Sequence, residues 1–188
     1  SGPSSFMKSN GVIVGYTKPN VHDQQAIVET LNGPMGRAGI SVIPRPGAGW
    51  PSLSAPNIMS AGPDLVNGGV RQSYPNHSFY MGRTARTAAA WTTDNRFLLM
   101  VVDYSSTSAG MNLPEVSQTL VNYAPIENAF NLDGGGSSAM SAGGILRNRP
   151  KDGSERYVKN AVVITSAAAV PNRVGIVRTP SGNGYWVV

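Results

Sequence analysis

Between Ala129 and Met140 the chain reads AFNLDGGGSSAM. An acid closes an apolar run, three glycines follow in a row, and two serines come next. Glycine lets backbone N–H groups approach a ligand with no Cβ in the way. Successive N–H groups in such a bend form a concavity that takes an anion. Ser137 and Ser138 add hydroxyl donors, and Asp133 falls at the carboxyl end of a strand, a common place for a reactive side chain. A plain turn with a solvent-facing acid is the simpler alternative, but it needs fewer glycines than Gly134, Gly135 and Gly136 provide. No lysine follows the glycines, so the segment is not a P-loop.

A second acid, Asp103, closes the apolar run FLLMVVD. An ionised group at the end of such a run should have a partner; the plain alternatives to a catalytic role are a turn acid or a partner for Arg86. Residues 147–159 hold Arg147, Arg149, Lys151, Arg156 and Lys159 against Asp152 and Glu155, a local surplus of three positive charges. Guanidinium groups match phosphate geometry. Arg149 or Arg156 gripping phosphate beside the glycine amides is the functional reading; a solvated charged loop is the bland one. Ser137 has no evident nearby base, so a serine nucleophile is disfavoured.

Composition removes several classes. The chain has 188 residues, 40% of them hydrophobic, which suits one globular domain. It has no cysteine and two histidines, His22 and His77. Thiolate catalysis, disulfides and a cysteine-ligated metal are excluded, and a His-rich zinc site is disfavoured. The formal charge of +5 favours anionic partners. Basic residues are not interleaved with aromatics, which argues against nucleic acid. No apolar run approaches the ~20 residues of a membrane span.

The elements that must position these groups follow from local pattern. Gly11–Tyr16, Ile40–Ile43, Thr87–Trp91, Phe97–Asp103, Asn128–Leu132, Gly144–Leu146 and Lys159–Thr165 read as strands. Asp94-Asn95 makes the second pair of apolar strands a hairpin. Asn20 and Asp23 resemble a capping pair for a helix over Val21–Leu31. Asn112-Leu113-Pro114-Glu115 opens a second helix, with Leu113, Val116, Leu120 and Val121 on one face. Glu115 is therefore a capping residue before it is a catalyst. Trp50, Tyr74 and Tyr80 are able to stack on sugar rings or to fill a core, and His77 to sit on a surface loop or reach the site. The fold expected is α+β, a single domain in which a curved, mostly antiparallel sheet carries at least two packed helices, with the site in loops at strand ends.

Several segments together resemble the phosphodiester glycosidase family. Besides the glycine motif, they are SAGPDLVNGG (Ser60–Gly69), Arg86-Thr87-Ala88, FLLMVVD, Gly110–Glu115, and Asn148-Arg149-Pro150 with Glu155, Arg156, Val158 and Asn160. They occur in the family's order. Two features depart: Tyr104 follows Asp103 where the family usually has glycine, and the early N-G-G-x-F segment is not apparent in the first 55 residues. The resemblance implies hydrolysis of a sugar-1-phosphodiester between the anomeric carbon and a phosphate oxygen. Asp133 and then Asp103 are the implied carboxylates for the oxocarbenium-like centre. Arg86, Gly134, Gly135, Gly136, Ser137, Ser138, Arg149, Arg156 and Asn160 are the implied phosphate and sugar contacts. No cofactor is assigned, although either acid has the oxygen donors that calcium or magnesium would use. The expected partner is a sugar-phosphate, small or polymeric, outside the cytoplasm or on a cell surface; the oligomeric state is open. A non-catalytic module that binds anionic surface glycans is the alternative.

The remaining segments are read as follows. Residues 1–10 are a tag or linker without a signal peptide, and 11–170 the family-like domain. Residues 171–188 form a strand pair, VGIVRTPSGNGYWVV within it resembling GYW-containing repeats of secreted actinobacterial proteins, and begin a repeat or linker.

Overall fold

A computed structural model describes residues 3–30 and 39–164, together with the backbone of Gly175–Arg178 and Gly184–Val187. In chain order a first group of strands is β1 (Met7–Ser9), β2 (Val12–Gly15), β3 (Gln25–Thr30), β4 (Gly39–Pro44) and β5 (Ile58–Ala61). They form one sheet in the order β2-β1-β5-β3-β4. The chain then passes into β6 (Asp64–Asn67) and β7 (Val70–Arg71), a single helical turn α1 (Ser78–Met81), and the hairpin β8 (Arg86–Thr92) and β9 (Phe97–Val102). A two-residue hairpin, β10 (Tyr104–Ser105) and β11 (Ser108–Ala109), leads to helix α2 (Leu113–Tyr123) and strand β12 (Ile126–Asn131). The short pair β13 (Ser141–Ala142) and β14 (Ile145–Leu146) precedes β15 (Gly175–Arg178) and β16 (Gly184–Val187). The larger sheet runs β15-β16-β9-β8-β12-β6-β7, and its pairings are antiparallel.

The layers follow from alternation along the strands. One face of the larger sheet, with Ala88, Ala90, Leu98, Met100 and Val102, packs against Leu113, Val116 and Leu120 of α2. Its other face sends Ala89 and Phe130 against Ile27 and Val42 of the smaller sheet. The far side of the smaller sheet, with Ala26, Val28 and Ile58, is closed by Trp50 from the long loop. Trp50 is thus core and not a sugar platform. Helix α2 begins as its sequence predicts: Asn112 accepts from Glu115 N at 2.9 Å, and Glu115 Oε2 accepts from Asn112 N at 2.9 Å.

Three expectations change. The segment predicted as a helix over Val21–Leu31 is strand β3 through Thr30, and Leu31 lies outside the described residues. Asp23 does not cap. Its carboxylate accepts from Thr17 Oγ1 at 2.6 Å, Arg45 Nη1 at 2.8 Å and Trp50 Nε1 at 3.2 Å. Freed from a cap, Ile27 and Val28 follow their β-branched preference between two packed layers. Residues 159–164 form no strand; Val163 and Ile164 are exposed, and Thr165 is not described. The larger sheet is not strongly curled, and helix content is small: α1 has four residues and α2 eleven.

Candidate functional site

The β8–β12 ladder continues past the end of β12. Asn131 pairs with Ala88, Leu132 N donates to Thr87 O at 2.8 Å, and Gly135 N donates to Ala85 O at 2.8 Å. This register carries Asp133 to the start of β8, where Arg86 stands. The glycines are required by close approach. A Cβ on Gly134 would lie 2.9 Å from Ala85 O, and Gly135 has φ +61°. A Cβ on Gly136 would overlap Asp152 and Arg156, so Arg156 lies directly over the bend.

The bend does not present three bare amides, as the sequence suggests it would. Gly134 N donates to Asp133 Oδ1 at 2.9 Å, and Gly135 N is taken by Ala85 O. Of the three glycine N–H groups, only that of Gly136 is left out of these bonds.

Arg86 is 5% exposed, and its guanidinium is held by carbonyl oxygens: Met111 O at 3.2 Å from Nε, with Phe79 O at 3.0 Å and Gly82 O at 2.8 Å from Nη2. Among the described residues no carboxylate lies within ion-pair distance of it. Burial pushes the guanidinium below its usual value, with Tyr74 opposing. A buried cation neutralised only by dipoles is a strong attractor for an anion. The turn that supplies two of those carbonyls is capped by His77, whose Nδ1 accepts from Phe79 N at 3.1 Å. His77 therefore builds the clamp around Arg86. Beside it Tyr74 stacks on Tyr80 at 5.3 Å between centroids and His22 on Phe79 at 5.6 Å, with Phe79 44% exposed.

The other predicted residues divide into groups. Asp133 is exposed, and its bond to Gly134 N is local. Asp103 is half-buried and latches a loop: its Oδ1 accepts from Asn148 Nδ2 at 3.2 Å and from Arg149 N at 2.9 Å. Asn148, buried, also donates to Ser138 O at 3.0 Å and accepts from Met140 N at 2.7 Å. Ser138 is fully buried and its Oγ receives Thr87 Oγ1 at 3.0 Å, which makes it a structural residue. Ser137 is half-buried in the turn. Arg149 is exposed with its side chain unengaged among the described residues, whereas Arg156 pairs with Asp152 at 2.5 Å. Asn160 is drawn elsewhere, donating to Met7 Sδ at 3.4 Å on the smaller sheet. Among the described residues no three His, Cys, Asp or Glu side chains gather to hold a metal.

Sequence reasoning missed the Asn148 latch and the carbonyl clamp, which join residues far apart in the chain. It also missed Gln25, Asp64 and Asn131, each of which has one buried side-chain oxygen without a donor among the described residues.

A profile of the phosphodiester glycosidase family matches residues 1–165. The chain belongs to that family. It is 36% identical over 69 residues to the N-acetylglucosamine-1-phosphodiester alpha-N-acetylglucosaminidase of Bos taurus, which covers 37% of this chain and 13% of that protein. The mouse enzyme of the same name is 35% identical over 69 residues, again 37% of this chain and 13% of its own length. The fold is similar to that of the zebrafish enzyme's catalytic domain, solved auto-inhibited by its pro-peptide. The TM-score is 0.58 at 22% identity, covering 78% of this chain and 50% of the other. The chain thus spans half of that structure and a small part of the curated relatives. The triple-glycine segment falls at the end of the β8–β12 ladder.

Proposed function

We propose that this phosphodiester glycosidase family member hydrolyses a sugar-1-phosphodiester, releasing the sugar and a phosphomonoester. The observation that carries the reading is Arg86, a buried cation with no carboxylate in ion-pair distance among the described residues, at the ladder end to which Asp133 is delivered. Arg86 receives the phosphate and, with the Gly136 N–H, stabilises the charge that grows on it as the anomeric C–O bond breaks. A phosphomonoester is already a good leaving group, so little acid catalysis is demanded. Asp133 faces the anomeric carbon and stabilises the oxocarbenium-like centre. Asp103 holds the 138–149 loop in register and is a weaker candidate for direct chemistry, because its Oδ1 is already engaged. Arg156, which overlies the bend, and Arg149, whose backbone is held by Asp103, meet the rest of the phosphate-bearing group.

N-acetylglucosamine is the sugar we favour, since the relatives named above act on its 1-phosphodiesters. A basic surface suits a polymeric acidic aglycone, and a wall polymer joined through N-acetylglucosamine-1-phosphate outside the cell fits that chemistry. The test is release of free N-acetylglucosamine from UDP-N-acetylglucosamine or a synthetic N-acetylglucosamine-1-phosphodiester. Turnover by the wild type, lost in Asp133→Asn, supports the reading; its absence on both substrates overturns it. The engagement of two glycine amides and of Asp103 favours one second reading, a non-catalytic module for anionic glycans. That module would bind the same diesters without turnover.

A further inference from the structure

The segment that follows the Asn148 latch returns over the glycine bend. Arg149 N is held by Asp103 Oδ1 at 2.9 Å. Gly153 N donates to Pro150 O at 3.1 Å, closing a tight turn in which Gly153 has φ +83°. Lys151 Nζ lies 5.1 Å from the centroid of the Tyr104 ring, a cation–π contact. These ties, at residues 149, 151 and 153, bracket Asp152. Its carboxylate lies on the bend: a Cβ built on Gly136 would overlap Asp152 Oδ2 first and the Arg156 guanidinium next. Arg156 Nη2 donates to that same Oδ2 at 2.5 Å. Gly136 is buried, although the two residues over it are exposed.

An exposed aspartate–arginine pair contributes little to stability, so folding gives a poor reason for three ties around it. What the ties do place is a negative charge beside Gly136 and a guanidinium, the groups that meet phosphate in the reaction proposed above. That reaction changes the charge on phosphorus. Water adds to the anomeric carbon, the C–O bond breaks, and its electron pair stays on the phosphate oxygen. The diester enters with one negative charge. The phosphomonoester, with a second pKa of about 6, gives its proton to solvent near neutral pH and leaves with two. A site made of arginine and amides alone would hold this product more tightly than the substrate. A carboxylate close to the phosphate opposes the dianion twice as strongly as the monoanion.

We propose that Asp152 is a specificity-determining residue, which sets the bend to accept a phosphodiester monoanion and to disfavour the phosphomonoester dianion. The phosphate oxygen takes the place of Oδ2 on Arg156, and the tied turn keeps the displaced carboxylate within Coulomb reach. The other charged groups of the segment do not cancel it. Lys151 is carried on Tyr104, and Arg147 donates to Ala142 O at 3.2 and 3.0 Å. Arg149 and Glu155 are exposed. The proposal deepens the reaction above and rests on its placement of phosphate at Gly136, but the charge discrimination is measured without turnover.

The test uses two small probes at about pH 8, where a phosphomonoester is dianionic: diethyl phosphate, a monoanion, and ethyl phosphate. Amide spectra of the whole chain, titrated with each, give a dissociation constant at the Gly136 signal. The wild type should bind diethyl phosphate at least as tightly as ethyl phosphate. In Asp152→Asn, whose amide oxygen still accepts from Arg156, the preference should swing by about tenfold toward ethyl phosphate, the lower part of the range for one unit charge near a surface. Glu155→Gln removes an equal charge from the same segment and should leave the ratio where it was. Tighter binding of ethyl phosphate by the wild type overturns the proposal. So does an unchanged ratio in Asp152→Asn, or an equal swing in Glu155→Gln, which would make net charge the cause. Those results leave the proposed reaction standing. No response at Gly136 to either probe defeats the placement of phosphate and the proposal with it. Absence of turnover with the selectivity intact defeats the reaction alone.

Discussion

Arg86 and Asp133 sit at the same end of the β8–β12 ladder, yet they do not form an ion pair. The cation is buried and turned onto carbonyls, while the acid is exposed and turned onto its own loop. On the proposed reaction, the developing positive charge of the substrate meets the exposed acid while its phosphate approaches the buried cation.

Removing the cation should therefore abolish anion binding. Phosphate at about ten times its dissociation constant should stabilise the wild type by roughly 1.4 kcal/mol. In Arg86→Met that gain should vanish, and kcat/KM on an N-acetylglucosamine-1-phosphodiester should fall by about 100-fold to 1,000-fold. Thermal melts with and without phosphate check the first part, and initial rates the second.

Asp133→Asn should separate chemistry from folding. The asparagine oxygen can still accept from Gly134 N, and the site is exposed, so stability should move by no more than about 0.5 kcal/mol. Turnover should fall by at least about 100-fold with KM little changed. Urea denaturation beside steady-state kinetics distinguishes this outcome from a loss of fold.

The glycines should not be equivalent. Alanine at Gly134 meets the Ala85 carbonyl, a backbone atom that cannot swing away, and should cost about 1–3 kcal/mol. Alanine at Gly136 meets only the ends of Asp152 and Arg156. These are exposed and can move, so the loss should appear in KM more than in stability. Parallel melts and kinetics of the two variants decide this.

Asn148→Ala should loosen the loop that Asp103 holds. It removes the partner of Met140 N and Ser138 O in a buried place and should destabilise by about 1–3 kcal/mol. Hydrogen exchange should quicken at the Met140 amide specifically.

Much of this frame was legible in the sequence. The β8–β9 hairpin followed from two apolar runs around Asp94-Asn95, and α2 from Asn112, Pro114 and Glu115, because those signals act within a few residues. Strand β3 was misread for the complementary reason. Asn20 and Asp23 carry a local cap signal, but Arg45 and Trp50, distant in sequence, claim the Asp23 carboxylate. The site shows the same division. The motif pointed to Asp133 as a candidate and showed that the bend needs glycine, as the close approach of Gly134 to Ala85 O bears out. It could not reveal that Ala85 O would occupy an amide, that Asn148 would occupy Asp103, or that Arg86 would be ringed by carbonyls. Those facts depend on which strands become neighbours.

The passage from β5 to β6 takes only Gly62 and Pro63. So short a tether gives the two sheets no slack to come apart while either stays intact. Ile27 and Val42 would also lose their cover the moment Phe130 moved away. The pair of sheets should behave as one foldon, with the amides of Val28 and Ala89 exchanging at a common, global rate in native-state experiments.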